Sequence, residues 1–173
     1  MDWQQLPAVQ GTTGFEYKIS VIHLATRVKY SEIHTDFCSQ TLSRVLQRAV
    51  QVLPPFFVLF TDNAMSFTMK YTAHPNRKTA LTRTAENMGI IHALIPKGKP
   101  WRNAFIERSN RTDNEELFHR MRFNSSEERR YYLRLWEMHY NFERPHQGIN
   151  NFTPVDLFRK FYQQHFCYCM IYN

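Results

Sequence analysis

Five apolar residues in succession, Phe56 to Phe60, followed by Thr61 and then Asp62, constrain this chain more than any other stretch. Short, aromatic and β-branched, without polar alternation, the run FFVLFT predicts a central strand covered on both faces. An Asp where such a strand stops is well placed to hold a cation, because the strand restrains its backbone while the chain end leaves its oxygens open. One acid makes no site, so its partners must come from elsewhere in the chain.

Around that strand the punctuation is clear. In FEYKISV, Phe15, Tyr17, Ile19 and Val21 alternate with Glu16, Lys18 and Ser20, the signature of a half-buried strand, and RVKYSEIH follows as its hairpin partner. Leu42, Val45, Leu46, Ala49, Val50 and Leu53 recur at helical spacing, with Ser39 as a candidate cap and Pro54-Pro55 as the stop. A helix over Thr79–Met88 ends at Gly89, and IIHALIP then reads as a second buried strand reached by a parallel crossover. Residues 103–120 carry neither Pro nor Gly and predict a polar helix. Ser125 with Glu128 forms a capping box, and Thr153-Pro154 opens a last helix.

A length of 173 residues and 43% hydrophobic content fit one compact domain and exclude a disordered chain. Lys and Arg exceed Asp and Glu by 7, which favours a polyanionic partner, nucleic acid first and an anionic membrane surface second. No apolar stretch reaches the ~20 residues that span a bilayer, and the start, MDWQQLPAVQ, lacks the features of a signal peptide, so a soluble cytoplasmic protein is expected. Three cysteines, Cys38, Cys167 and Cys169, make neither a disulfide framework nor a paired zinc pattern.

Glu107 supplies the second acid. On a helix, Asn103, Asn110, Arg111 and Asn114 share its face, and Lys97, Lys99 and Arg102, interleaved with Gly98 and Trp101, place phosphate-binding charge and a stacking surface just before it. The segments FTDNAMSF, PWRNAFIERSN and YNFERPHQGI resemble, in order and spacing, the integrase core of the DDE transposases, the retroviral-integrase-like enzymes of bacterial insertion sequences. Ala64 and Ala104 stand where that family usually carries glycine. The interval from Asp62 to Glu107 is longer than usual, and MKYTAHPNRKT is the segment that would loop out.

The resemblance implies a ribonuclease H-like α/β fold, a mixed five-stranded sheet flanked by helices, over residues 1–160, with 161–173 a tail of unknown role. It also implies three catalytic, metal-binding acids: Asp2 on the first strand, Asp62 and Glu107, holding Mg²⁺ with Mn²⁺ able to substitute. Lys97, Lys99, Trp101, Arg102, Asn103 and Arg111 would meet DNA, the partners being transposon ends and target, with the protein a homodimer or higher oligomer. The family's upstream helix-turn-helix module has no counterpart here, so an isolated core or a truncated product is expected. Arg144 and His146 lie at a turn between Pro145 and Gly148, where an anchoring role outweighs a phosphate contact. Two other readings stand beside the transposase: an inactive DNA-binding remnant, and a stand-alone ribonuclease H-type nuclease.

Overall fold

A computed structural model of the chain describes residues 1–9, 14–99 and 103–171, with side chains through residue 162. Strands β1 (Asp2–Gln5), β2 (Tyr17–Ile22) and β3 (Lys29–His34) form an antiparallel sheet in that order, Asp2 pairing with Ser20 and Tyr17 with His34. Strands β4 (Val58–Thr61) and β5 (Ile91–Leu94) pair in parallel, joined by helix α2 (Ala80–Asn87) as the crossover expectation required. The expected five-stranded sheet is therefore two pieces, of three strands and two. Between them the Met1 amino group donates to the Phe60 carbonyl at 2.8 Å, setting the start of β1 beside β4 without the repeated pairing that defines a ladder.

The helices follow their local signals with two adjustments. Thr79 caps α2 by accepting from the Thr82 amide, and Gly89 takes the left-handed conformation that ends it, φ +70°. Helix α1 (Ser39–Val52) starts one residue after Cys38, so Ser39 is not its cap; the hydroxyl instead accepts from the Leu81 amide at 3.0 Å and ties α1 to α2. The predicted helix over 103–120 is α3 (Ala104–Asp113) followed by a π-helical turn, Asn114–Phe118. Ser125 caps α4 (Ser126–Phe142) through the Glu128 amide, and α5 (Pro154–Ile171) closes the chain, running past residue 160.

Helix α1 buries Leu42, Val45, Leu46 and Ala49 completely against the sheet, with Ile19, Leu59, Phe67 and Leu81 completing the core. Two strand faces differ from expectation. Leu59 and Thr61 are buried, but Phe60 on the other face is 39% exposed and Ile91 on β5 is 65% exposed, so β4 and β5 are covered on one side only. Helices α3 and α4 pack instead over β2 and β3. There they bury the side of β2 read as polar and solvent-facing: Lys18 and Ser20 are fully inaccessible, as is Lys29 on β3.

What makes this burial tolerable is Asp113, at the end of α3. Its carboxylate accepts from the Lys18 and Lys29 ammonium groups and, at 2.8 Å, from the Trp136 indole, all in the interior. Burial alone would raise the Asp113 pKa, but the two ammonium groups take it down to about 2, while burial pulls Lys18 down to about 8 against the pull of Asp113. Nearby, Glu16 pairs with Arg129 and, at 2.7 Å, with Arg130, pinning α4 to the entry of β2. Arg144 clasps Glu116 with two hydrogen bonds of 2.9 and 2.5 Å, and the His146 ring meets the Tyr140 carbonyl at 3.1 Å, in keeping with the anchoring role expected for that turn.

Candidate active site

Asp2 opens β1, where pairing with Ser20 fixes its backbone. One carboxylate oxygen accepts from the Trp3 amide at 2.9 Å and the other from the Asn110 side-chain amide at 2.9 Å, so the acid is clamped between its own strand and α3. Asp62 follows the last residue of β4 and accepts from the Ala64 amide at 2.9 Å, a local turn that aims the carboxylate away from the strand end. The two acids lie close enough to couple. Burial is the main cause of a raised Asp2 pKa, the Met1 ammonium and Trp3 amide oppose it, and the Asp62 charge adds to the rise.

A raised carboxyl pKa has a defined consequence for stability. Because the folded state favours the protonated form of Asp2, its contribution weakens as pH rises from the ordinary value of 3.8 through the raised one. Asp2→Asn keeps shape and removes the buried charge; its one amide oxygen can still accept from Trp3, and its new amide nitrogen would meet Asn110, whose side chain must flip to accept from it. In EDTA at pH 7 it is expected to raise the melting temperature, with Asp2 behaving as a functional residue held at the expense of stability. A lower melting temperature would mean that the ionised carboxylate is a structural anchor.

Glu107 occupies the first turn of α3, exposed, one helical turn before Asn110. Its helix is thus tied to Asp2 through Asn110, and to β1 again through Gln4, which donates to Asn114 at 2.9 Å. The face predicted to gather around Glu107 is accordingly the one that docks on β1. The carboxylates themselves do not converge: among the described residues no three His, Cys, Asp or Glu side chains stand close enough to share an ion. Asp2 feels the charge of Asp62, while no three-acid cluster that includes Glu107 forms among the described residues.

The remaining site candidates are distributed around these acids. Asn103 precedes α3 without a side-chain capping bond, and Asn63 donates to the Ile95 carbonyl at 2.8 Å, locking the end of β4 to that of β5. The Lys97 ammonium lies 3.7 Å from the centre of the Tyr71 ring, and Lys99 is exposed beyond the Gly98 turn. Arg111 is exposed on α3, while Trp101 and Arg102 lie outside the described residues. His92 bridges Thr61 at 2.8 Å and Thr82 at 2.9 Å, so it joins β4, β5 and α2 as a packing residue. Asn110 was legible as a member of the polar stripe, but its grip on Asp2, 108 residues away in sequence, had no local signal.

The donor set suits a hard divalent cation. Asp2 and Asp62 offer coupled carboxylate oxygens, and the Asn110 and Asn63 side-chain oxygens are buried without a hydrogen-bond partner among the described residues. Residues 88–154 match the family model described as integrase core domain. The chain is related to the DDE-type integrase and transposase catalytic cores.

Two curated relatives are proteins of insertion elements. The chain is 29% identical over 119 residues, 69% of the chain and 40% of the relative, to the insertion element IS407 uncharacterized 31.7 kDa protein of Burkholderia multivorans. It is 32% identical over 95 residues, 55% of the chain and 25% of the relative, to the IS476 uncharacterized 39.2 kDa protein of Xanthomonas euvesicatoria. The chain thus spans less than half the length of these relatives. Among solved structures, the catalytic core domain of BIV integrase superposes with a TM-score of 0.62 over 95% of this chain and 97% of that one, at 14% identity. The simian T-cell lymphotropic virus intasome gives a TM-score of 0.68 over 90% of this chain and 51% of that one, at 12% identity. The architecture of the chain is accordingly ribonuclease H-like, helices flanking mixed strands in two sheet pieces.

Proposed function

We propose that the chain is the catalytic core of a DNA transposase that hydrolyses phosphodiester bonds and transfers DNA strands at a site formed by Asp2, Asp62 and Glu107. The observation that carries this reading is that Asp2 on β1 feels the charge of Asp62 just past β4, with Asn110 tying the Glu107 helix to Asp2. Two Mg²⁺ ions, or Mn²⁺, bound there would polarise the phosphate and favour ionised water or a DNA 3′-hydroxyl as nucleophile. Asp2 and Asp62 would hold them with Glu107 completing the set. The Trp3 and Ala64 amides and Asn110 fix the direction of the two strand-borne acids, so the carboxylates need little reorganisation when DNA arrives.

Lys97, Lys99, Trp101, Arg102, Asn103 and Arg111, all within ten positions of Glu107 in sequence, would carry the phosphate backbone of transposon ends and target, in a homodimer or larger assembly acting in the bacterial cytoplasm. Among the described residues no helix is long and apolar enough to cross a membrane. The lack of a three-acid cluster among the described residues favours one competing account, a DNA-binding remnant without catalysis. Supercoiled plasmid incubated with the protein distinguishes the two: nicking that requires Mg²⁺ or Mn²⁺ and stops in EDTA supports the transposase core, and binding without metal-dependent nicking supports the remnant.

A further inference from the structure

Alongside α3, the helix that carries Glu107, lies a cleft of about 650 Å³ between that helix, the β2–β3 turn and the 144–148 turn. Ala104, Arg108, Arg111, Thr112 and Glu115 recur along α3 and the π-helical turn at helical spacing and line one wall. Arg27 enters from the opposite side. It sits in the left-handed region at φ +66°, a conformation that an Arg adopts at a cost and Gly would take freely. Its guanidinium stacks over the Phe105 ring at 3.7 Å, and one terminal nitrogen, Nη1, is buried without a hydrogen-bond partner among the described residues.

A strained backbone holding an unsatisfied buried guanidinium nitrogen is poor design for stability alone. The charge balance explains what it could serve. Arg27, Arg108, Arg111 and Arg144 face the cleft against Glu115 and Glu116; Arg144 is already clasped by Glu116, while Arg108 and Arg111 are exposed and form no ion pair among the described residues. A planar guanidinium fork with free donors matches phosphate oxygens.

From this geometry we infer a nucleic-acid phosphate site in the cleft, in which Arg27, Arg108 and Arg111 grip the DNA backbone alongside α3. The inference rests on the DNA reading above and extends it from Arg111 to Arg27 and Arg108, in a cleft that neither Lys97 nor Lys99 lines. Duplex held there would lie along α3 on the side adjoining Glu107, so the cleft would set the register of the strand at the acids.

The test is equilibrium binding of a fluorescent DNA duplex of unrelated sequence in EDTA, titrated over salt, which does not depend on whether the protein nicks. Arg27→Gly relieves the left-handed backbone while deleting the guanidinium, and Arg108→Ala and Arg111→Ala change exposed residues, so folding is checked by thermal melts of the same samples. Each is expected to lower the slope of log affinity against log salt by about 0.9, and the triple variant by about 2.7. Inorganic phosphate, matched to chloride in ionic strength, should not displace the duplex. Unchanged slopes in the folded Arg108→Ala and Arg111→Ala proteins would overturn the site. Stoichiometric displacement by phosphate would make it a small-anion pocket and overturn its assignment to DNA.

Discussion

Asp113→Ala is expected to destabilise the chain by about 3–5 kcal/mol, a loss comparable to the whole stability of many domains. The reason is the company Asp113 keeps. Its removal would leave Lys18 and Lys29, both inaccessible to water, facing each other in the interior with no anion between them. Urea titration should show the midpoint falling sharply or the transition disappearing. Replacing the whole group, Asp113→Leu with Lys18→Met and Lys29→Met, should recover much of the loss, because no buried charge is then left uncompensated. A small effect of Asp113→Ala would mean that water reaches the two ammonium groups.

The same cluster gives acid sensitivity of known sign. Asp113 has its folded pKa lowered from 3.8 to about 2, so its ionised form supports the fold above the ordinary carboxylate value, and that support is lost as pH falls from about 3.8 through about 2. Lys18 acts oppositely. With its folded pKa lowered from 10.5 to about 8, the cost of burying its charge is fully present below pH 8 and eases as pH rises toward 10.5.

Glu107→Gln carries the largest expected effect on activity. The substitution preserves shape, helix propensity and exposure on α3 while deleting the one negative charge that the third position offers to a cation. Residues that merely support metal ligands commonly account for 10–100-fold in affinity or activity, so loss of a direct ligand should reduce Mg²⁺-dependent nicking by at least about 100-fold. Folding should be unaffected, since the side chain is exposed. Duplex binding in EDTA should hold or improve, as one carboxylate facing phosphate has gone. Nicking at the wild-type rate would remove Glu107 from the chemistry and leave Asp2 and Asp62 to account for it alone.

Local patterns carried most of the fold. The hairpin of β2 and β3, the Thr79 and Ser125 caps, the Gly89 stop and the β4–α2–β5 crossover all follow from residues adjacent in sequence. What failed were statements about which faces are covered. FFVLFT is as apolar as a doubly buried strand, yet Phe60 is 39% exposed, because hydrophobicity records what a surface prefers and not whether a helix lies over it. The alternation in FEYKISV misled in the other direction. Lys18 reads as a solvent-facing residue unless Asp113, 95 positions later, is known to lie against it. Arg27 gives no signal in sequence at all, since its left-handed backbone and stacking on Phe105 exist only once the hairpin meets α3.

For the candidate site, the residue types and their order were legible, and so was the polar face of α3. The distance between acids was not, because it depends on how α3 is set against β1 by the Asn110–Asp2 and Gln4–Asn114 hydrogen bonds. Trp101 and Arg102, chosen for stacking and phosphate charge, lie outside the described residues, whereas Lys97 is engaged with Tyr71.

The central claim is that Glu107 joins Asp2 and Asp62 around a shared metal centre, and Mn²⁺ binding followed by electron paramagnetic resonance tests it directly. Wild-type protein should bind Mn²⁺ with Mg²⁺ as competitor, and Glu107→Gln should weaken that binding at least about 10-fold, with addition of a DNA duplex tightening the wild type far more than the variant. Equal Mn²⁺ affinity in the two proteins, with and without DNA, would contradict the account and place Glu107 outside the metal site.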